Sequence, residues 1–358
     1  MKYGYIQQYY TPLVTKRSLS PTRGMASQES RAKRYRASLH LHDAVRRYDL
    51  SRLKELVASG APLTEIDSRG RTPMHLAVMA GSAYEAAHQM MTILLSSEDE
   101  DERAEALCYL EDGGFSAFHL AASSCSAQVM DLLLDSVDEE IVADVIEMRS
   151  HIKGELYSGG WGKKAADGQL VELDVEHMTL LHCALERLNP QEDEDDDDVE
   201  PPSDAEQTEA YAMVRLLIKR GADVNARDAN ARTPIHQAVQ AGQQDMVALL
   251  LEAGVDPSVG CKAIGMENTV LHQAVLRNDH SMIRCLVCAA PELNVDAPGQ
   301  NGLTPLCLAA RSNKEACARA LVEGGADPDL VTAFGKSALD IARTNNRIAI
   351  LRLFGAKF

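Results

Sequence analysis

The chain has 358 residues, 25% of them charged, and a formal net charge of −17. A body this acidic excludes nucleic acid as a direct ligand, because such affinity comes chiefly from Lys and Arg displacing counterions. Eight cysteines without disulfide-framework spacing, no secretory leader pattern and no apolar run near the roughly 18 residues of a membrane span exclude a secreted or membrane-embedded protein. They imply a cytoplasmic and/or nuclear chain with reduced thiols.

Residues 1–37 hold Lys2, Lys16, Arg17, Arg23, Arg31, Lys33, Arg34 and Arg36 against Glu29 alone, a charge of +7 that leaves −24 on the remainder. They carry Tyr3, Tyr5, Tyr9, Tyr10 and Tyr35 but no periodic apolar face, and are expected to form a disordered basic tail. Lys16-Arg17 and the cluster Arg31 to Arg36 have the pattern of a bipartite nuclear import signal. The acid-free stretch 1–28 also suits an organelle presequence, although it lacks the amphipathic face of one.

From residue 38 onward one pattern recurs. It begins at Leu39, Thr72, Ser116, Thr179, Thr233, Thr269, Thr304 and Ser337, and Thr233-Pro234-Ile235-His236-Gln237-Ala238 shows it in full. All copies keep the final Ala, and most are followed by an apolar run and a turn, as in Leu249-Leu250-Leu251-Glu252-Ala253-Gly254. The hydroxyl of Thr233 can cap a helix whose first position is Pro234, where a missing N–H costs nothing. Ile235, Val239, Met246, Leu249 and Leu250 recur at helical spacing, so one face of each helix is apolar. Ala238 and its equivalents let neighbouring helices approach closely. Gly221 and Gly254 stop the second helix of their pairs. Such pairs cannot bury their apolar faces alone and must stack, and with aromatic residues at 4% the resulting core is aliphatic.

The intervals between copies are 33, 44, 63, 54, 36, 35 and 33 residues in chain order. The excess over 33 places insertions near 83–86, 96–112, 136–177 and 189–209. The third contains the apolar segment Ile141 to Ile146 and the Gly-rich piece around Trp161; the fourth contains Glu192 to Glu200, eight carboxylates in nine residues, which repel one another and are expected to be disordered.

Across 38–358 the pattern resembles the ankyrin repeat, with its Thr-Pro-Leu-His-x-Ala signature. The resemblance implies an all-α ankyrin repeat solenoid of about eight helix-turn-helix repeats with β-hairpin-like fingers, in one domain behind the tail. It also implies a non-enzymatic, monomeric scaffold or adaptor that binds a protein partner along the concave face. The stretched second repeat, the irregular stretches before Thr269 and Thr304 and the acidic run are similar to the inhibitor-of-NF-κB type. That likeness implies, as an alternative, masking of a transcription factor, although the acid lies mid-chain and the tail has no Asp-Ser-Gly degradation signal.

Partner contacts are expected at Arg69, Arg71, Asn230, Arg232, Gln240, Arg277, Asn301, Arg311 and Phe334 in the regular repeats, and at Trp161 in the third insertion. Paired replacement of Arg232 and Arg277 by Glu is expected to weaken partner capture without unfolding. His42, His75, His119, His182, His236 and His272 come one per repeat and read as scaffold, as the family resemblance implies, so no cofactor or metal is expected from them. Cys285 and Cys288 form the one CxxC, with no second ligand pair at zinc spacing, and read as packing residues. The glycines before Lys163 miss the phosphate-loop pattern, since position 157 is Tyr157 and Lys163 precedes Lys164. A pocket lined by Trp161, Tyr157 and Lys163 is the alternative from another class, in which the insertion 136–177 builds a ligand-binding or catalytic site.

Overall fold

Where the sequence repeats Thr or Ser ahead of a short apolar segment, the chain forms a short helix, and most such helices are followed by an antiparallel partner. The computed structural model describes residues 40–80, 84–124, 127–150, 178–186, 188, 204–260, 268–299 and 302–355. The basic tail, the acidic run 192–200 and the piece holding Trp161 lie outside them. All regular elements among the described residues are helical. Contacts divide the chain into two units: up to Ala184 with Thr208–Ala222, and Leu185–Gln207 with Asp223 onward.

In the first unit, α1 (residues 40–46), α3 (Pro73–Met79) and α6 (Ala117–Ser123) are inner helices, and α2 (Leu50–Ala58), α4 (Tyr84–Leu95) and α7 (Ala127–Asp135) are their outer partners. Inner α3 packs on inner α6, and outer α4 on outer α2 and α7. The core is aliphatic and rich in methionine: Leu41, Leu53, Met74, Met90, Met91, Met130 and Leu133 are fully buried, with Phe118 the one large aromatic among them.

The stretch expected as an insertion at 96–112 contains a helix, α5 (Glu100–Cys108). Asp99 caps it by accepting the Glu102 N–H at 3.0 Å, and Glu100, Asp101 and Glu102 occupy the first turn, where the helix dipole favours carboxylates. Glu102 Oε1 accepts the Leu63 N–H, Arg103 Nη1 donates to the Leu95 and Ser97 carbonyls, and Ala106 and Leu107 are buried. The apolar segment of the next insertion forms α8 (Glu139–Ile146), with Val145 and Ile146 buried. The unit is completed by α9 (Leu180–Glu186, as far as Ala184) and by α10 (Asp204–Lys219, from Thr208). Arg220, just past α10, donates to both Asp131 and Asp135 on α7, at 2.5 and 2.6 Å.

The second unit is the regular one. Its inner helices α11 (Pro234–Gln240), α13 (Val270–Arg277), α15 (Pro305–Arg311) and α17 (Ala338–Thr344) pack side by side in that order. So do the outer helices α12 (Gln244–Glu252), α14 (His280–Ala289), α16 (Glu315–Glu323) and α18 (Ile348–Leu353). The alanines that end the motif, Ala238, Ala274, Ala309 and Ala342, are all completely buried, which is why this position admits nothing larger. Each inner helix turns into its outer partner through one residue of positive φ. The position is held by Gly242, Asn278, Asn313 and Asn346, the residue types that tolerate the left-handed region.

Candidate partner-binding surface

The start of each inner helix sets the geometry of the finger before it. In α3, Thr72 Oγ1 lies 2.7 Å from His75 Nδ1, and the Thr72 N–H donates to the same nitrogen at 3.2 Å. A nitrogen that accepts an N–H carries no proton, so the ring proton sits on Nε2. That Nε2 donates to the Phe115 carbonyl of the next repeat at 3.1 Å. An equivalent Nε2 bond joins His42 to the Arg71 carbonyl at 2.9 Å, and the whole arrangement recurs where His119 meets Met148 at 3.2 Å and His272 meets Leu303 at 2.9 Å. His236 keeps the bonds to Thr233; its Nε2 makes no hydrogen bond of good geometry, although the Val259 and Asn268 backbone lies close enough to favour its proton. Burial holds His75, His119 and His236 down at about 4, and lowers His272 in the same way, so these rings are neutral.

Two fingers share a second device. Asp67 Oδ1 accepts the N–H groups of Arg69 and Arg71, while Oδ2 accepts Arg71 Nε and Nη2 and also Arg46 Nη2. Burial alone would raise the Asp67 carboxyl, but the Arg71 side chain and the two backbone N–H groups bring it down to about 2. Asp228 repeats the pattern: Oδ1 accepts the Asn230 and Arg232 N–H groups and Oδ2 accepts Arg232 Nε at 2.7 Å. The Asp228 side chain is 0% exposed, so Arg232 neutralises a fully buried carboxylate. In the last finger Thr332 replaces the aspartate and donates its hydroxyl proton to the Lys336 carbonyl at 2.8 Å.

The residues expected to contact a partner therefore divide. Arg71 and Arg232 are spent inside their own fingers, and Arg232 cannot be reversed to Glu without setting two carboxylates against each other in a buried place. Arg69 and Phe334 stand exposed at finger tips, with Phe334 at 65% exposure, and Asn230 is a half-buried tip residue. Gln240 and Arg311 occupy one equivalent position, the seventh after the capping residue, at the C-terminal edge of the inner helices, and Arg277 adjoins it. Trp161 and Asn301 lie outside the described residues, as do Tyr157 and Lys163.

Several residues of this surface escaped the sequence reading. Met79 and Leu276 hold the same seventh position and are 51% and 52% exposed, and Leu330 and Val331 are exposed beside Phe334. Counting from each motif start identifies Met79 and Leu276, because a position filled by Arg46, Met79, Ser123, Glu186, Gln240, Leu276, Arg311 and Thr344 in turn is not a packing position. Cys285 and Cys288 both lie on α14, and burial raises the Cys285 thiol, the opposite of an activated nucleophile. Among the described residues no cluster of three or more His, Cys, Asp or Glu side chains is placed to hold a metal ion, and no helix is long and apolar enough to cross a membrane.

Comparison with known proteins agrees with this architecture. The chain is 34% identical over 133 residues to protein lin-12 of Caenorhabditis elegans, which is 36% of this chain and 9% of that protein. It is 31% identical over 151 residues to neurogenic locus notch homolog protein 1 of Homo sapiens, 42% of this chain and 6% of that protein. The chain thus spans less than a tenth of the length of either relative. The crystal structure of the ankyrin repeat domain of Bcl-3, a member of the IκB family, superposes with a TM-score of 0.55 and 24% identity, covering 80% of this chain and all of that one. The family profile for ankyrin repeats, in 3 copies, matches residues 41–144, 169–261 and 271–357, and the chain belongs to the ankyrin repeat family.

Proposed function

We propose that the chain is a non-enzymatic scaffold, acting as a monomer in the cytoplasm or nucleus, that binds a protein partner along the finger tips and the exposed C-terminal edge of the inner helices. The supporting observation is a contrast between positions. The capping residue and the motif alanine recur from repeat to repeat and the Asp-Arg finger frame recurs in two fingers, whereas the tips read exposed Arg69, half-buried Asn230 and exposed Phe334. The helix edge reads exposed Met79 in the first unit and, in the second, half-buried Gln240 and exposed Leu276, Arg311 and Thr344. A frame held constant beneath a varied surface is how a repeat array acquires specificity for one partner. The likeness to Bcl-3 is one of fold, and masking of a transcription factor would be a special case of the same binding.

Affinity purification with the whole chain tests the reading. The variant Phe334→Asp with Arg311→Glu is expected to lose a bound protein that the wild type retains. The variant Arg284→Glu with Arg319→Glu, on the outer helices, is expected to keep it. Equal loss from both variants, or a wild type with no preferred partner, would reject the binding surface; the second outcome would identify a passive spacer.

A further inference from the structure

Arg46, Arg71, Arg220, Arg232, Arg284 and Arg319 are paired with carboxylates, whereas other positive side chains are not. At the C-terminal edge of the second unit's inner helices the unpaired ones are grouped. Among the described residues, Arg277, Arg311, Lys314, Arg343 and Arg347 have no carboxylate within ion-pair distance. They are also close together. Lys314 Nζ donates to the Val275 and Leu276 carbonyls at 2.7 and 2.6 Å, next to Arg277, and Arg347 Nη2 donates to the Arg311 carbonyl at 3.4 Å. Lys314 and Arg347 thereby satisfy the last carbonyls of α13 and α15, a structural duty that helix C-termini favour. Arg277 and Arg311 have no such duty: both are exposed, Arg277 Nη2 lies 3.7 Å from where a Cβ on Gly242 would stand, and Leu276, next to Arg277 in the chain, is 52% exposed.

We infer that this edge binds an acidic peptide segment of the partner, with carboxylates on Arg277 and Arg311 and an apolar side chain over Leu276. The inference rests on the reading that this surface meets a protein, and it adds the chemistry of what is met. Charge complementarity selects the occupant: the four inner helices carry Arg277, Arg311 and Arg343 against Asp340 alone, and Asp340 is occupied in capping Ser337. Lys314 and Arg347 beneath add to the positive potential and have no paired carboxylate to offset them. α13 lies between α11 and α15, and packed helix axes repeat about every 8–10 Å, so a bound segment that follows the row of helices would place its carboxylates at about that repeat. A polyproline II segment presents the same face every three residues and advances about 9 Å in doing so. The expected motif is therefore two acidic residues three apart with an apolar residue adjoining.

Fluorescence anisotropy of the full chain with labelled Gly/Ser peptides, each carrying one Leu and two Asp residues separated by one to five positions, tests this. A separation of three is expected to bind best, about ten-fold tighter than the Ser-for-Asp peptide, and Arg277→Glu with Arg311→Glu is expected to remove that advantage. Leu276→Ser is expected to weaken binding with no change in the charge or the circular dichroism melt, which separates loss of contact from loss of fold. Indifference to Asp, or binding unaltered by both variants, overturns the inference. So does tighter Arg277-dependent binding of a single-stranded oligonucleotide of matched charge. A chain lacking residues 191–202 that gains about ten-fold in peptide affinity would assign the edge to the protein's own acidic run, which also overturns it. Failure here leaves partner capture through Phe334 standing, whereas failure of capture by any surface variant rejects the broader reading itself.

Discussion

Acid should loosen this protein well above the range in which carboxylates usually matter. His75, His119 and His236 are held at about 4 by burial, whereas an exposed imidazole titrates near 6.5. A folded value below the unfolded one means that the native state binds fewer protons between pH 6.5 and 4. The stability these rings lend is therefore complete above about pH 6.5 and is lost as pH falls toward 4. At pH 5.5 an unfolded ring is about nine-tenths protonated and a folded one scarcely at all, a difference of about 1 to 1.5 kcal/mol for each histidine. His75 and His119 lie in the first unit, so that unit should lose about 2 to 3 kcal/mol between pH 7.5 and 5.5. The cause is visible in the bonding. Protonated Nδ1 would face the Thr72 or Ser116 N–H as a second donor, and the capping arrangement would open. Asp67, at about 2, gives its own loss below pH 3.8 and stays out of this window. Glu111, whose carboxyl burial raises, acts in the opposite direction. Urea unfolding followed by circular dichroism at pH 7.5, 6.5 and 5.5 measures the effect, and His119→Gln should reduce the slope by one titrating group. A urea midpoint unchanged from pH 7.5 to 5.5 would refute this account of the histidines.

Three substitutions probe the frame. Arg232→Ala should cost about 3 kcal/mol, because it leaves Asp228 buried without its partner; a loss below about 0.5 kcal/mol in chemical denaturation would show that water replaces the guanidinium. Ala309→Leu should destabilise the second unit by about 1 to 3 kcal/mol, since α15 lies between α13 and α17 with no room beside this methyl group; an unchanged thermal melt would contradict the close packing. In Gly299→Ala the new methyl would sit 2.5 Å from His272 Nε2 and 2.8 Å from Asn268 Oδ1, so it should disturb the His272 bond to Leu303. Faster amide exchange at the turn residues 302–304, with the exchange of α11 unchanged, is the expected signature.

Much of the architecture was legible because the repeated residues act locally. Thr233 with Pro234 announces a helix start, and the buried alanines announce helices in close contact. The acidic segment 98–102 was harder, because a run of carboxylates reads as a solvated loop. Its helix depends on Asp99 as a cap and on Glu102 reaching Leu63, far away in the chain. The finger arginines show the same limit for the surface. Asp67 and Arg71, and Asp228 and Arg232, both stand four apart, yet that spacing does not reveal that the turn folds the guanidinium back onto the carboxylate. Phe334 and Arg311 were legible as surface because nothing in their own repeat requires them. Leu276 was not, because an apolar residue at a helix end ordinarily suggests burial.

The bond from His42, His75, His119 and His272 to a carbonyl further along the chain gives errors in this protein a direction. His42 holds the carbonyl of Arg71, so it steadies the finger whose tip is Arg69, 29 residues further along the chain from the ring to the carbonyl it holds. Damage to that ring should therefore show up in its C-terminal neighbour before it shows up at home. A survey of binding-defective variants would mark His42 as though it touched the partner, when its influence arrives through the loop it keeps still.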